Sequence, residues 1–247
     1  MEKGVGMTLG ATTGDGINVS GLSVTYRNGA TGCHDVSFKV EPDEILAVLG
    51  RNGVGKTTLL RGIAGFRAVE GVHVHGQVAL DGTQLSRNPG KASKAGVVFV
   101  PERDKVFPSL TVQEHFRLVN VRGRDAIEPF GFPPLSNRWT SRAGLLSGGE
   151  RQMLALAMAW AQHPKLLLVD ELSLGLAPVI VGQLLQKLRE MAERSHMSVI
   201  LVDQDAVAAL RVADSLLVLD HGEVVWRGAS RDTTAAELGT HYLGTGV

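Results

Sequence analysis

Nine consecutive residues, Gly50-Arg51-Asn52-Gly53-Val54-Gly55-Lys56-Thr57-Thr58, carry three glycines, one lysine and two threonines. Those types at that spacing suit a phosphate cradle. Glycine lets the backbone curl without Cβ clashes, so successive N–H groups can point inward at an anion. Lys56 has the length to reach the β- and γ-phosphates of a nucleotide, and the Thr57 hydroxyl can ligate Mg²⁺. The stretch follows the apolar run Ile45-Leu46-Ala47-Val48-Leu49 and opens into Leu59-Leu60-Arg61-Gly62-Ile63-Ala64. Strand, glycine-rich loop and helix therefore come in the order that a P-loop requires, and the helix N-terminus adds partial positive charge at the loop.

Two further stretches carry chemistry. Leu166-Leu167-Leu168-Val169 ends in Asp170-Glu171. A carboxylate at the end of such a strand, downstream of a P-loop, reaches the Mg²⁺ shell. Its neighbour Glu171 can orient or deprotonate the water that attacks a γ-phosphate. Leu146-Ser147-Gly148-Gly149-Glu150 reads first as a capping box, Ser147 with Glu150 three residues on. A cap alone does not call for two glycines in the first helical turn, where each costs up to ~1 kcal/mol relative to alanine. Their presence fits a phosphate docked on this helix N-terminus, with the Ser147 hydroxyl and the backbone N–H groups as donors.

The elements that must hold these residues are legible in the pattern. Leu22–Tyr26 and Val36–Val40 alternate as half-buried strands do, and Gln77–Leu80 with Asp81-Gly82 reads as strand and turn. This part of the chain is an antiparallel patch. His73 and His75 alternate on one strand face, with no third ligand at metal spacing. Val97–Val100 is a buried strand that delivers Glu102 to its end, and Thr111–Val119 looks helical. Apolar strands at Leu166–Val169, Ser198–Val202 and Ser215–Leu219 alternate with helical patterns at Val179–Arg194 and Ala206–Val212. Such alternation predicts a parallel sheet covered on both faces.

Composition narrows the class. The chain has 247 residues, enough for one α/β domain with a small subdomain. Lys plus Arg and Asp plus Glu number 25 each, so no net field favours nucleic acid or an acidic membrane surface. Cys33 is the only cysteine, which excludes an internal disulfide and suits a reducing compartment. The longest wholly apolar run, Leu154–Ala161, falls well short of the ~20 residues that a membrane span needs. Met1 to Asn18 lacks the basic start and apolar stretch of a signal peptide, and Met7 is an alternative start.

The order of Tyr26, the P-loop, Glu102, LSGGE, LLLVDE and Val202-Asp203-Gln204 resembles an ABC transporter ATPase subunit over about residues 18–243. Phe99-Val100-Pro101-Glu102, Val106-Phe107-Pro108, Leu110-Thr111-Val112 and Ser173-Leu174-Gly175-Leu176-Ala177-Pro178 resemble the branched-chain amino-acid importer group. The resemblance implies that Tyr26 stacks on adenine, that Glu102 stands where most of the superfamily has a glutamine near Mg²⁺, and that Gln204 replaces a histidine at the γ-phosphate. Leu172 stands where the group has proline, which leaves the following turn less constrained, and Met158 replaces a common arginine.

The expected fold is α/β, a P-loop NTPase of the ABC ATPase type with a parallel-sheet core, an antiparallel β patch and a helical insertion. Residues 1–17 are expected to form a disordered tail and 18–243 a single domain, with its nucleotide-binding core at 18–106 and 147–243 and the insertion at 107–146. ATP and Mg²⁺ are the implied ligands. Gly50 to Thr58 and Tyr26 would bind the nucleotide; Thr57, Glu102 and Asp170 the metal. Lys56, Glu171 and Gln204 would do the chemistry, and Ser147 to Glu150 would meet the ATP of a second ATPase subunit, identical or related. The implied function is hydrolysis of ATP for an importer of branched-chain or other hydrophobic amino acids, peripheral on the inner face of the cell membrane. Separately encoded permease subunits, and indirectly an extracytoplasmic solute-binding protein, would be its partners. The alternatives are a urea or short-amide importer and a soluble ABC ATPase outside transport.

Overall fold

The computed structural model describes residues 15–66, 72–122 and 133–242. Its strands are β1 (Ile17–Tyr26), β2 (Thr31–Val40), β3 (Ile45–Leu49), β4 (Val72–Leu80), β5 (Thr83–Gln84), β6 (Val97–Val100), β7 (Leu166–Asp170), β8 (Ser198–Asp203), β9 (Ser215–Asp220) and β10 (Glu223–Ala229). The helices are α1 (Lys56–Ile63), α2 (Pro89–Lys94), α3 (Val112–Leu118), α4 (Pro133–Asn137), α5 (Gly148–Trp160), α6 (Pro178–Ser195), α7 (Ala206–Leu210) and α8 (Ala235–Tyr242).

Two sheets result. One has the order β10-β9-β3-β8-β7-β6, parallel except for the β10–β9 pair; the other is antiparallel in the order β2-β1-β4-β5. β3, β7 and β8 are buried at every residue, because both faces of the parallel sheet are covered. Ile45, Ala47 and Leu49 point into a cluster with Leu154 of α5 and Leu184 and Leu188 of α6. Leu46 and Val48 point the other way, into a cluster with Leu59 and Leu60 of α1 and Val19, Leu22 and Val24 of β1. Helices cover one face; α1 and the antiparallel sheet cover the other.

Several expectations shift. Ile17, placed in the tail by the sequence reading, is wholly buried at the start of β1, and the Gly16 carbonyl accepts from the Asp81 N–H; residues 1–14 lie outside the described residues. The insertion packs onto the core. Phe116, Leu135 and Ala143 are fully buried in the same cluster as α5, and the Phe116 and Trp139 rings meet at 5.8 Å. Residues 123–132 of the insertion lie outside the described residues. Thr111 caps α3 with a full capping box through Glu114. His73 and His75 both lie exposed on β4, as their alternation predicts. The sequence pattern does not reveal α2, β10 or α8, and α7 is shorter than the apolar pattern suggests.

Candidate functional site

Parallel register decides which chain segments meet. Leu49, the last residue of β3, pairs with Asp203 of β8, and Val202 of β8 pairs with Asp170 of β7. The loop from Gly50, the Asp170-Glu171 pair and Gln204 therefore leave the sheet side by side at its C-terminal edge. Ligand sites of open α/β sheets lie at this edge.

The glycine loop is closely packed against its own chain. Gly55 has φ +110°, and a Cβ there would lie 1.7 Å from the Gly32 carbonyl oxygen, so no other residue fits. Gly55 also caps α1 without a side-chain hydrogen bond, and the first turn of α1 holds no acidic residue. That helix end keeps its partial positive charge for an outside anion. Arg51, Asn52 and Gly53 are exposed, whereas Gly50 is buried and Val54, Thr57 and Thr58 are half-buried. Lys56 is buried. Its Nζ donates to the Gly50 carbonyl at 2.8 Å and the Arg51 carbonyl at 3.0 Å, and stands 3.9 Å from Glu171 Oε1. Burial lowers the Lys56 pKa below its ordinary value; the nearby carboxylates of Glu171, Asp170, Asp203 and Glu102 oppose this. The half-buried Tyr26 shares a 2.6 Å hydrogen bond between its hydroxyl and Thr58 Oγ1, which ties β1 to α1.

The carboxylates face this loop. Thr57 Oγ1 donates to Asp170 Oδ1 at 3.1 Å. Burial pushes the Asp170 carboxyl up to about 6, against the Thr57 hydrogen bond and with help from the charges of Glu171 and Glu102. Glu171 has φ +49°, a left-handed conformation that a glutamate adopts only under constraint, and its N–H donates to the Val202 carbonyl at 2.8 Å. Gln204 Nε2 donates to Glu171 Oε1 at 2.8 Å. Glu102 is part-exposed and paired with Arg103 at 3.0 Å. Among the described residues no three His, Cys, Asp or Glu side chains form a metal cage. One buried carboxylate beside one hydroxyl is the protein share that Mg²⁺ needs when phosphates and waters supply the rest. Burial disfavours the ionised Asp170 carboxyl and a bound divalent cation would offset that, so these residues fit the ion.

Ser147, Gly148, Gly149 and Glu150 form a second, separate feature. Ser147 and Gly148 are exposed at the start of α5. Ser147 Oγ accepts from the Glu150 N–H at 3.2 Å, while Glu150 Oε2 accepts from the Ser147 N–H at 2.7 Å. The bond from the Ser147 N–H holds the Glu150 carboxyl below its usual range, and Arg138 sits 3.5 Å away. One glycine has an internal reason that the sequence reading did not foresee. A Cβ on Gly149 would lie 2.8 Å from Ile180 Cγ2 of α6, so helix packing, and not only an approaching ligand, demands a small residue there.

Sequence reasoning passed over Asp203 and Ser173, which lie against the site and hydrogen-bond each other. The available signal was Asp203 at the end of an apolar strand next to Gln204, the same pattern that singled out Asp170. The loose turn expected after Leu172 is not found: Leu172 is wholly buried in the core and Ser173 is held by Asp203. Met158 is half-buried at the edge of that core, and nothing around it explains the departure.

Residues 33–173 match the family model described as ABC transporter. The chain is 37% identical to the high-affinity branched-chain amino acid transport ATP-binding protein BraG of Pseudomonas aeruginosa, over 87% of this chain and 91% of that protein. It is 32% identical to the probable branched-chain amino acid transport ATP-binding protein LivF of Archaeoglobus fulgidus, over 80% of this chain and 86% of that protein. Among solved structures, a dimeric post-hydrolysis ATP-binding cassette bound to ADP and phosphate superposes with a TM-score of 0.73 at 22% identity, covering 87% of this chain and 99% of that one.

Proposed function

Because the chain belongs to the ABC transporter family and is an ATPase of that family, we propose that it powers import of branched-chain or other hydrophobic amino acids. The cargo reading rests on the names of BraG and LivF and on the phrases that resemble their group. We read the chain from β1 to residue 243 as one ATPase domain with the 107–146 insertion turned toward membrane-spanning subunits encoded separately. Among the described residues no helix is long and apolar enough to cross a membrane, so such subunits would supply the path.

One observation carries the mechanism: Glu171 Oε1 lies 2.8 Å from Gln204 Nε2 and 3.9 Å from Lys56 Nζ, at the mouth of the glycine loop. A carboxylate, an amide donor and an ammonium converge where the terminal phosphate of a nucleotide held by residues 50–58 would lie. Glu171 takes up or directs the proton of the attacking water. Gln204 holds the Glu171 carboxylate and donates toward the γ-phosphate; as an amide it does so without titrating near neutral pH. Lys56 leaves its two carbonyl partners to neutralise the β- and γ-phosphates. Thr57, Asp170 and Glu102 would hold Mg²⁺, which would supply Lewis-acid stabilisation of the phosphate charge. Tyr26 offers a ring for adenine, fixed by its bond to Thr58.

The exposed start of α5 completes the cage from a second ATPase subunit. Ser147 Oγ and the N–H groups of Gly148 and Gly149 would meet the γ-phosphate bound in the neighbour's P-loop, so ATP bridges the pair and hydrolysis releases it. Both sites of the pair then depend on differential binding of ATP to closed and open states.

Glu171→Gln tests the reading. The variant is expected to bind ATP with the affinity of the parent and to lose turnover by about 10²- to 10⁴-fold, the range for removing a general base. Equilibrium binding and a phosphate-release assay measure the two. Turnover at the parent rate would remove Glu171 from the chemistry.

A further inference from the structure

We propose that Asp203 is a positioning residue for the hydrolysis assigned above, an inference that rests on that assignment. Asp203 is 2% exposed, and its carboxylate accepts from two chain segments at once. Oδ1 accepts from the Gln204 N–H at 2.7 Å, from the Asp205 N–H at 3.0 Å and from the Ser173 hydroxyl; Oδ2 accepts from the Ser173 N–H at 3.1 Å. Ser173 lies two residues beyond Glu171, and Gln204 directly follows Asp203. One buried group thus pins both stretches of backbone from which Glu171 and Gln204 project.

The need for such a pin follows from where the sheet ends. The β7–β8 ladder runs to the Asp170–Val202 pair, and one more backbone bond, Glu171 N–H to the Val202 carbonyl, extends it. Among the described residues no further backbone bond joins the two segments, and a side chain takes over the bridging. Glu171 sits in a left-handed conformation, which persists only where the surroundings over-determine it. Its N–H fixes the chain on one side; Asp203, through Ser173, fixes it on the other. The 2.8 Å contact between Gln204 Nε2 and Glu171 Oε1 is the geometry that this double fixation maintains. Asp203 touches neither phosphate nor water in this scheme. It acts by keeping Glu171 and Gln204 in register, so its loss would lower the chemical step and spare nucleotide binding.

Every bond on Asp203 is an accepted one, so Asp203→Asn is nearly isosteric but turns one oxygen into a donor facing donors. In the full chain, ATP hydrolysis by this variant is expected to fall about tenfold or more in kcat, the scale of effect that misplacement of reacting groups produces, with the ATP affinity and KM within about twofold of the parent. Ser173→Ala removes one of the same bonds and is expected to lower kcat about threefold. Because both act through one contact, the double variant is expected to be no slower than Asp203→Asn alone. A lowered melting temperature with unaltered kcat, or a parallel fall in affinity and kcat, overturns the proposal, as do effects that multiply in the double variant. If Asp203→Asn does not fold, Ser173→Ala decides: unchanged kcat in that variant overturns the proposal. A parent chain that hydrolyses no ATP removes the assignment beneath it, which is a different result from a parent that is active and indifferent to Asp203.

Discussion

The two halves of the proposed composite site are built on opposite principles. The P-loop half is crowded and electrostatically unsettled: Lys56 is buried with a lowered pKa, Asp170 is buried with its carboxyl pushed up to about 6, and Glu171 holds a constrained backbone. The half at the start of α5 is exposed and settled, with Ser147 and Glu150 capping each other. The difference separates storage from presentation. On the proposed function a metal nucleotide would relieve charges held against their preference, whereas a capped helix end would only have to be brought to the phosphate by a neighbour.

That contrast is open to being broken. Gly148→Asp puts a negative charge on the presenting half, where an acid suits a helix N-terminus and the Cβ meets only the end of Leu176 at 3.2 Å. Turnover is expected to fall about 100-fold, the cost of losing a preorganised phosphate donor site, while ATP affinity of the isolated chain and its melting temperature stay put. A parallel loss of nucleotide affinity would merge the two halves into one. Lys56→Ala should do the reverse, weakening nucleotide binding by about 10- to 100-fold, as the loss of a charged hydrogen-bonding group does. Isothermal titration of the purified chain measures it, and an unchanged affinity would take Lys56 out of the cradle.

Asp170→Asn sharpens the contrast through pH. With its folded pKa raised from 3.8 to about 6, Asp170 keeps a proton in the native state that the unfolded chain has already lost. Stability therefore declines as pH rises between those values and stays lower above them. In metal- and nucleotide-free buffer the variant is expected to be about 3 kcal/mol more stable than the parent at pH 7.5, with the gap closing toward pH 4. Denaturant titrations at both pH values decide; a gap independent of pH would show that titration is not its source. The smallest effect belongs to Gly149→Ala, where overpacking against Ile180 is expected to cost about 1 kcal/mol. In an Ile180→Ala background the same change should become neutral or stabilising, since alanine is the better helix former. A loss of stability that persists without the Ile180 side chain would mean that α6 does not set the size of residue 149.

Much of this was visible in the residues because the signals were local. β3 is an unbroken apolar run, β7, β8 and β9 each hold one of four residues, and the P-loop announces itself by residue type within nine positions. β10 was missed since, as an edge strand that no burial run betrays, Glu223–Ala229 alternates only between exposed and half-buried. α2 is a six-residue helix with one buried side chain, Ala92, too little for a period to register. The bond between Gln204 and Glu171 joins residues 33 apart, and that between Asp203 and Ser173 joins residues 30 apart. Only the strand register makes them neighbours. The second reason for Gly149 was hidden in the same way, since Ile180 is remote in sequence and reaches α5 through helix packing.

The posture of Lys56 has a consequence for how the pocket fills. With its ammonium seated on the Gly50 and Arg51 carbonyls, the loop holds a tenant of its own. An arriving triphosphate must evict that tenant, so its affinity measures an exchange of partners and not the filling of a hole. Weakening the incumbent contacts, with the lysine itself retained, would tighten nucleotide capture.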